Sequence, residues 1–568
     1  MADTHLSGDV TTDGTVNGRD MVADGAVIDA ARYALPMAST GYHVGAFGAV
    51  GDGSTDNTAA IQAAIDAANS QITTYQTPAH VVFGHGTYCA TELVLKNRVI
   101  LEGESVQTTE LRQIAATNAD FIKSENFDAL TGTNKWHGTD GVPSYIGFRN
   151  IRIHGNKANQ GDGNWRGLVL YAKGLYFDNC QVLHCKGAGV YTECGEDPSV
   201  SEWPTFPEGH TGLLVSALNG GTGWDMRGPH DISCVKVTTW GNGGGGLKIS
   251  RVAGEYLANG DGLFIHSYAN AGIGVHIKDT TFRAGIIRAE DNGQEGLFLE
   301  NADNCLFGTV HLFGNGKVSG AYQLVVNQPT AFANLGSVRI RTAGRAACGG
   351  AQIAGSSITA TVNIQGDVSG GGEGSGIGLD IPALAQMNNI NGTISYFGAA
   401  GGVGLRMNNG GASSHNVVSL TMRDCSTMFQ NVTHGVANRV QITGVCDVGD
   451  VKFDGVGPGS GPSREEWDVH IRDGAGGVAV SRQEISSPVN LNFQAGAAQT
   501  VFIPHNLMRA PDPNKCCVTL HTATANTAWR VGQLRVTQVN NTHLWVTMVL
   551  DTKAGAALTG TVRAMVEV

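Results

Sequence analysis

The fold is decided by one stretch near the N-terminal end of the chain, Ala46-Phe-Gly-Ala-Val-Gly-Asp-Gly-Ser-Thr-Asp-Asn-Thr-Ala-Ala-Ile-Gln-Ala-Ala-Ile-Asp-Ala-Ala68. It predicts a strand, a tight turn and then a helix. Gly51 and Gly53 flank Asp52 in the turn, and glycine adopts backbone angles that bulkier residues resist. The stretch contains neither G-x-x-x-x-G-K-[ST] nor G-x-G-x-x-G, two patterns of phosphate-binding loops. We therefore interpret it as a structural cap.

The helix of this cap is predicted over residues 56–69, with Thr55 or Asp56 as its N-cap. Its apolar side chains fall on one stripe, which consists of Ile61, Ala64, Ile65 and Ala68. The whole stretch closely resembles FGAxGDGxxDDTxAIQxAIDAA, the opening sequence of the pectate-lyase-like superfamily, to which many phage tailspikes belong. The resemblance implies an all-β fold in which the helix closes the first turn of a right-handed single-stranded parallel β-helix.

Glycine makes up 80 of the 568 residues, about twice its usual share of ~7%. The glycines recur in a phrase of Gly, an apolar residue, any residue and another apolar residue. This phrase begins at Gly167, Gly189, Gly246, Gly262, Gly274, Gly296, Gly378 and Gly404. A repeat of about 20 to 50 residues that contains short strands is typical of a solenoid. With about three strands and no helix in each repeat, the pattern favours a parallel β-helix.

The formal net charge of the chain is −12, and the absence of any basic block argues against nucleic acid as a partner. No apolar stretch approaches the ~20 residues of a membrane-spanning helix, so we expect no membrane insertion. The first residues lack the basic and apolar segments of a secretion signal, so we expect the protein to be made in the cytoplasm. The 11 cysteines form no C-x-x-C pair, and we expect buried thiols, no metal site and no cofactor.

The chain divides into three regions that differ in composition and hydrophobic pattern. Residues 1–41 are small and polar, and Gly18-Arg-Asp-Met-Val-Ala-Asp-Gly-Ala-Val-Ile-Asp29 resembles segments of phage tail fibres, which implies attachment to a virion. Residues 42–460 carry the repeats, interrupted by a Pro- and Gly-rich insertion at 194–230. Residues 485–568 alternate as a half-buried antiparallel sheet does and predict a β-sandwich-like domain. This domain resembles C-terminal modules of phage tailspikes, which implies trimerisation or carbohydrate binding.

Within the repeated phrase the apolar positions point inward and the position between them points outward. The outward position and the one after the phrase predict two columns, which contain Tyr191, Glu193, Lys248, Ser250, His276, Lys278, Phe298 and Glu300. The glycine phrase that begins at Gly262 gives an alternative register for the repeat. In that register Phe264 and His266 also occupy outward positions. Such a mixture of carboxylates, bases and aromatic rings predicts a sugar-binding groove, and we assign substrate binding to Tyr191, Glu193, His266, His276 and Lys278.

The insertion at 194–230 carries three large aromatic residues, Trp203, Phe206 and Trp224. Long loops on a rigid scaffold frequently carry function. We therefore expect Trp203 and Trp224 to bind substrate by stacking on sugar rings. The alternative is that these aromatic side chains are buried between subunits.

Glycoside hydrolysis needs two carboxyl groups on either side of one bond, about 5–9.5 Å apart. Asp261 and Glu295 each stand immediately before the Gly of a repeated phrase, which predicts equivalent corners one or two turns apart. At ~4.8 Å for each turn the two would lie about 5–10 Å apart. Asp261 and Glu295 are therefore the predicted catalytic pair, with Glu300 in reserve. A lyase would instead use His276, Lys278, His266 or Tyr191 as its base.

Taken together, the resemblances imply a homotrimeric phage tailspike whose N-terminal region joins tail or baseplate proteins and whose β-helix binds and cleaves a bacterial surface polysaccharide. The polysaccharide would be a capsule, an exopolysaccharide or the O-antigen of lipopolysaccharide, and hydrolysis is favoured over elimination. One alternative is an adhesin or structural tail protein that does not cleave the glycan. Another is a bacterial polysaccharide lyase or epimerase.

Overall fold

The computed structural model of the chain describes residues 15–16, 19–20, 41–71, 78–130, 141–193, 209–229, 231–251, 259–317, 320–342, 348–366, 375–408, 414–433, 437–447, 450–455, 466–473, 484–491, 499–504, 516–522, 531–539, 543–550 and 558–566. The molecule divides into two compact units, residues 1–271 and residues 272–568. Short strands Thr15–Val16 and Arg19–Asp20 form an antiparallel pair ahead of the first unit's main sheets.

The cap begins with strand Gly41–His43, a 3-10 helix at Val44–Phe47 and strand Asp52–Asp56. Asp52 Oδ1 accepts hydrogen bonds from the backbone N–H groups of Ser54 and Thr55, both at 2.8 Å. Asn57 holds the turn to the helix, because its buried side chain bonds the backbone N–H and carbonyl of Val50. The acid and glycines of the turn therefore build structure, as predicted.

The cap helix runs over Thr58–Ser70 and buries the predicted stripe, which consists of Ile61, Ala64, Ile65 and Ala68. The predicted N-cap, Thr55 or Asp56, is wrong, because the N-cap is Asn57; Asp56, one residue earlier, still accepts from the Thr58 backbone N–H through its Oδ1 at 2.9 Å. The helix packs on the first strands of the solenoid. It thereby covers apolar side chains that an open solenoid end would expose.

The strands of the first unit form two parallel sheets. In the early turns two second-sheet strands follow each first-sheet strand, and from Val190–Thr192 onward single strands of the two sheets alternate. The first sheet contains Leu93–Leu95, Ile122–Ser124, Leu168–Leu170, Val190–Thr192, Trp224–Arg227 and Leu247–Ser250. The second sheet contains Gly41–His43, Asp52–Asp56, Ala79–Phe83, Gly86–Ala90, Val99–Gly103, Thr109–Gln113, Gly147–Arg149, Arg152–His154, Leu175–Asp178, Cys180–Leu183, Gly209–Ala217, Ile232–Trp240 and Gly260–Tyr268. A four-residue helix, Phe127–Leu130, follows the second strand of the first sheet.

The second unit repeats this alternation. Its first sheet contains Val275–Lys278, Leu297–Glu300, Tyr322–Val326, Gly349–Ile353, Ile377–Ile381, Val403–Asn408, Thr427–Thr433 and Val451–Gly455. Its second sheet contains Arg283–Glu290, Leu306–Phe313, Asn334–Arg341, Thr359–Gln365, Asn389–Phe397, Val417–Cys425, Arg439–Cys446 and Glu466–Asp473. Each unit is thus wound as a right-handed parallel β-helix, as predicted.

The second unit ends in two three-stranded antiparallel sheets. One pairs Glu484–Leu491 and Cys516–Thr522 with Leu558–Val566, and the other pairs Gln499–Pro504 and Val531–Val539 with His543–Leu550. This confirms the predicted change from parallel to antiparallel pairing in the C-terminal region. None of the helices in the part of the chain described here is long and apolar enough to cross a membrane.

The repeated glycine phrase marks the first sheet in each unit. Every phrase lies at a first-sheet strand except the one at Gly262, which lies inside the second-sheet strand Gly260–Tyr268. The predicted insertion at 194–230 is wrong in its second part, because Gly209–Ala217 and Trp224–Arg227 are regular parallel strands. Residues 194–208 lie outside the described residues.

Buried asparagines stack along the solenoid where the long second-sheet strands end. Asn242 Oδ1 accepts from the backbone N–H of Asn219 at 3.1 Å and from its Nδ2 at 2.9 Å. Asn270 Oδ1 accepts in the same way from Asn242, at 3.1 and 2.8 Å. The second unit has two such ladders, Asn292–Asn315 and Asn388–Asn416–Asn438. These side chains satisfy backbone groups that would otherwise be buried without partners.

The cysteines whose side chains the structure describes are all buried. Burial raises the pKa of Cys180 and of Cys185 to about 12. These thiols stay protonated near neutral pH and fill the core as small apolar groups, which confirms the prediction for them.

Candidate functional site

The outward face of the first sheet brings together side chains from three consecutive turns of the first unit. Tyr191 pairs with Asp225, which in turn pairs with Lys248. On the next outward position Arg227 pairs with Ser250, and Glu193 follows the strand that carries Tyr191. Neighbouring parallel strands are ~4.8 Å apart, so these side chains form one polar surface.

Tyr191 is enclosed by charged groups. Its Oη donates to Glu193 Oε2, and the guanidinium carbons of Arg166 and Arg227 lie 4.4 and 5.1 Å from the centre of its ring. The tyrosine is 8% exposed, and the edge of Phe127 packs against it. Tyr191 therefore presents its hydroxyl to the surface but no open ring face on which a sugar could stack.

The pKa of Tyr191 is raised, first by burial and then by its hydrogen bond to the Glu193 carboxylate. A phenol with a raised pKa keeps its proton near neutral pH. Tyr191 is therefore suited to donate a hydrogen bond, and poorly suited to be a resting base or a proton donor.

Arg166 is fixed by a carboxylate. Its Nη2 lies 2.7 Å from Asp120 Oδ2, and its Nε lies 3.2 Å from Asp120 Oδ1. A forked pair of this kind holds the guanidinium in one orientation. Arg166 also lies over the ring of Tyr191. Asp120 therefore positions the guanidinium that covers this ring.

Asp225 has an unsatisfied oxygen at the centre of the surface. Its side chain is 15% exposed, and Oδ1 is buried without a hydrogen-bond partner among the described residues. Lys248 Nζ lies 3.9 Å from Oδ1 and Arg227 Nε lies 3.6 Å from Oδ2. Leaving a buried carboxylate oxygen without a donor is costly. Asp225 is therefore held by two cations, while its Oδ1 receives no hydrogen bond from the described residues.

Sequence reasoning missed Asp225 because it lies in the segment interpreted as an insertion. Gly223-Trp-Asp-Met226 has the same pattern as the repeated phrase, with Trp224 and Met226 inward and Asp225 outward. Extending the repeat through residue 223 would have placed Asp225 in the column of Tyr191 and Lys248.

The prediction that Trp224 stacks on sugars is wrong. Trp224 is fully buried, its Nε1 donates to Thr192 Oγ1 at 3.1 Å, and its ring packs edge-on against Phe177. It fills the interior because it occupies an inward position of its strand. Trp203 and Phe206 lie outside the described residues.

In the second unit three predicted residues come together. Glu300 accepts from Lys278 Nζ at 2.6 Å through Oε1, and its Oε2 lies 2.9 Å from His276 Nε2. The ring of His276 also stacks on Phe298, with centres 4.9 Å apart. Burial acts to raise the pKa of Glu300, but the bonds from Lys278 and His276 outweigh it and lower this pKa. Glu300 is thus an ionised carboxylate held by two neighbours.

The expectation that Asp261 and Glu295 occupy equivalent corners is wrong. Asp261 is an exposed residue within the second-sheet strand Gly260–Tyr268, opposite Ser233. Glu295 lies in the turn before the first-sheet strand Leu297–Glu300. The two glycine phrases therefore belong to different sheets. The catalytic roles of Asp261 and Glu295 stay predictions.

His266 lies on the second sheet, opposite Thr238. Its ring is half-buried between Phe264 and Tyr268, with centres 6.1 and 4.7 Å away. It therefore belongs to a different face from Tyr191 and Glu193, and its assignment to substrate binding stays a prediction. In the described part of the chain no group of three or more His, Cys, Asp or Glu side chains is placed to hold a metal ion; the expected absence of a cofactor also stays a prediction.

Comparison with known proteins finds one family model that matches part of this chain. Residues 42–222 match the family model described as rhamnogalacturonase A/epimerase, pectate lyase-like. A search of curated proteins found no match.

Several solved structures resemble the chain at low identity. The A-module of Azotobacter vinelandii mannuronan C-5 epimerase AlgE4 is 16% identical, with 73% of this chain and 98% of that module covered and a TM-score of 0.36. The pre-mature gene product 12 of bacteriophage phi29 is 11% identical, with 96% and 93% covered and a TM-score of 0.43. The tailspike gp49 of Acinetobacter baumannii bacteriophage Fri1, a capsular polysaccharide depolymerase, is 11% identical, with 93% and 86% covered and a TM-score of 0.32.

The family match begins at the cap, whose sequence carries the resemblance, and it includes Tyr191 and Glu193. Residues 42–222 of this chain, which is wound as a right-handed parallel β-helix, are thus similar to that pectate-lyase-like family model.

Proposed function

We propose that this chain is a phage tailspike that binds and depolymerises a bacterial surface polysaccharide on the outward face of the first sheet, around Tyr191. The observation that carries the proposal is the cluster of Asp225 with Lys248 and Arg227, in which Asp225 Oδ1 receives no hydrogen bond from the described residues. The pectate-lyase-like match and the resemblance of the cap to tailspikes support it. A sugar on this surface would contact Arg227 and Lys248, whose side chains are 39% and 34% exposed beside Asp225.

The reaction proposed is glycoside hydrolysis with Glu193 and Asp225 as the two carboxylates. Tyr191 pairs with Asp225, and Glu193 stands two residues beyond Tyr191. One strand spacing of ~4.8 Å and two residues of ~3.3 Å separate the Cα atoms of Glu193 and Asp225 by about 8 Å. Flexible side chains on this frame can reach the range of about 5–9.5 Å between carboxyl groups that glycosidases use.

The neighbours suggest a role for each carboxylate. Asp225 lies beside Lys248 and Arg227, so we assign it as the nucleophile or base. Glu193 is the other carboxylate of the pair, so we assign it the remaining role, the acid that protonates the leaving oxygen. Tyr191 would hold Glu193 in position, because its own raised pKa keeps the phenol protonated.

Elimination is the second candidate reaction. It needs a cation to neutralise the carboxylate of a uronic acid, and Arg166, Arg227 and Lys248 supply three cations at this surface. The raised pKa of Tyr191 argues against the phenol as the base. Hydrolysis is therefore the first proposal and elimination the second.

Assembly and attachment belong to the same proposal. A tailspike would act as a homotrimer, with residues 1–41 joining the phage tail and the C-terminal region helping to trimerise or to bind carbohydrate. Sedimentation of the full chain would test the trimer.

The decisive experiment incubates the full chain with purified surface polysaccharides from a panel of candidate bacterial hosts. New reducing ends without the ultraviolet absorbance of an unsaturated uronate would support hydrolysis. New reducing ends with that absorbance would support elimination. Binding without any shortening of the chains would overturn cleavage and leave an adhesin. Neither binding nor cleavage across the panel would overturn the proposal as a whole.

A further inference from the structure

The second unit contains a fully buried carboxylate on the outward face of its first sheet. Asp380 pairs with Gln352 on one side and Arg406 on the other, and it is 0% exposed. It accepts from Tyr322 Oη at 2.9 Å, from Gln352 Nε2 at 3.0 Å, and from Arg406 Nε and Nη2 at 2.9 and 2.7 Å. These donors satisfy both oxygens of the carboxylate.

Tyr322 reaches this carboxylate across an intervening strand. It pairs with Gly349, where an added Cβ would lie 2.3 Å from Tyr322 Cδ1. The absence of a side chain at Gly349 therefore lets the ring lie across that strand and place its Oη on Asp380, 58 residues further along. Tyr322, Gln352, Asp380 and Arg406 form a preorganised group, which we call the Asp380 network.

The network leaves one part of Arg406 available. Asp380 is fully buried, whereas the Arg406 side chain is 32% exposed. Arg406 donates through Nε and Nη2, to Asp380 and Tyr322. Among the described residues none accepts from Nη1. The guanidinium is therefore held at one edge and presents its remaining donors at the surface.

A purely structural role explains this network poorly. A buried ion pair contributes little net stability relative to well-packed apolar side chains, and Val325 shows that this column accommodates such a side chain next to Gln352. Fixing an arginine by a buried carboxylate is useful where the arginine must meet a planar anion in a set orientation.

We propose that Arg406, held by the Asp380 network, binds the carboxylate of an acidic sugar in the polysaccharide. The inference rests on the proposed function and narrows it to acidic glycans that contain a uronic or similar sugar acid. Arg406 Nη1 donates to the sugar carboxylate. Asp380, Tyr322 and Gln352 are positioning residues that set the direction of the guanidinium.

The test compares native acidic capsular polysaccharides with the same polymers after carboxyl reduction, which converts each sugar acid into a neutral sugar. Equilibrium binding is measured for the full chain, for Arg406→Lys and Arg406→Gln, and for Tyr322→Phe. Arg423→Gln is the matched control, because Arg423 also pairs with a carboxylate, Asp424, but lies on the second sheet.

We expect Arg406→Gln to weaken binding of the native polymer by tenfold or more and to leave the reduced polymer unaffected. Arg406→Lys should recover only part of this loss, and Tyr322→Phe should weaken native binding less. A structural role would instead lower binding of both polymers together, and that outcome would overturn the inference, as would no effect on either.

The two proposals fail separately. If the unsubstituted protein cleaves polysaccharide and Arg406→Gln binds native polymer with the same affinity, the acidic-sugar site is wrong and the proposed function stands. If Arg406-dependent, carboxyl-dependent binding occurs without cleavage, the site stands and depolymerisation is wrong. If the full chain binds no native acidic polymer of the panel, the acidic-sugar site is overturned.

Discussion

Tyr322 lies across the strand that carries Gly349, at a distance where an added Cβ atom would be 2.3 Å from Tyr322 Cδ1. The tyrosine hydroxyl thereby reaches Asp380, two strands away. Glycine at this position is thus a requirement of side-chain packing rather than of backbone conformation. This relationship makes the two positions energetically dependent on each other.

Gly349→Ala is therefore expected to destabilise the fold by about 1–3 kcal/mol, the usual cost of overpacking. The same change in a Tyr322→Ala background should cost markedly less, since the clash is gone. Chemical unfolding of the four proteins in a double-mutant cycle measures the coupling. Equal costs in both backgrounds would show that Tyr322 does not cross this strand.

The asparagine ladder makes a second prediction. Asn242→Ala removes the acceptor of the Asn219 backbone N–H and Nδ2, and a buried donor left unpaired costs about 1–3 kcal/mol. We expect a lower unfolding midpoint in urea, by an amount equivalent to at least about 2 kcal/mol. Asn363→Ala, at an exposed position of the second sheet, is the control and should change little. Equal unfolding midpoints for Asn242→Ala and the unsubstituted protein would contradict a stabilising role of the asparagine ladder.

Much of the fold could be predicted because its signals are local. The cap helix carries an apolar stripe from Ile61 to Ala68. The glycine phrases span only four residues each, and most of them mark first-sheet strands. The ladder was missed although its asparagines recur at similar spacings, at Asn219, Asn242 and Asn270. A single asparagine beside glycine is also an ordinary turn, and only stacking distinguishes the two.

The candidate site was harder to predict because it depends on register. The prediction places His276, Lys278 and Glu300 on one face, as the structure does. Side chains alternate between the two faces along each strand, and this local rule decides which of them point outward. Asp261 and Glu295 were paired by the similarity of two short phrases, but one phrase lies in the middle of a long second-sheet strand. Local sequence does not report which sheet a strand joins, so two similar phrases need not occupy equivalent positions.

The ion pairs of Glu300 should make the stability of the fold depend on pH in the acidic range. Its pKa is lowered from the ordinary 4.5, since bonds from Lys278 and His276 outweigh the opposing effect of burial. A carboxylate with a lowered pKa stabilises the folded state above its ordinary value and loses that contribution as pH falls through the folded value.

The thermal midpoint of Glu300→Gln should therefore lie below that of the full chain at pH 7, and the gap should close as pH falls below about 4.5. The effect will be small because the side chain is partly exposed and screened by solvent. Asp162→Asn, at an exposed loop position, is the control. A gap of constant size from pH 7 to strongly acidic pH would contradict the pairing.

The inward position of Trp224 gives a prediction opposite to a sugar-stacking role. Trp224→Ala should destabilise the first unit by about 3–5 kcal/mol, as large-to-small changes in a core do. Trp224→Phe should cost less and, once folded, bind polysaccharide as the full chain does. Urea unfolding and binding of the folded protein measure the two effects. Folded Trp224→Phe with lost binding would restore the sugar-stacking role.

The last prediction separates two candidate pairs of carboxylates. Asp225→Asn and Glu193→Gln each keep the shape of the side chain and remove its acid–base chemistry, so each should lower kcat on a susceptible polysaccharide by about 10²-fold or more. The double variant should lose little beyond the worse single one, because residues that act in one step are not additive.

Asp261→Asn and Glu295→Gln are the matched variants at the pair predicted from local sequence. If Glu193 and Asp225 are the catalytic carboxylates, these two should retain kcat within a few-fold, because neither belongs to that pair: Asp261 lies on the second sheet of the first unit, and Glu295 lies in a turn of the second unit. The opposite pattern, with Asp261 and Glu295 indispensable and Asp225 replaceable, would place the chemistry elsewhere. It would also leave Asp225 as a residue that positions Lys248 and Arg227 rather than a catalytic one.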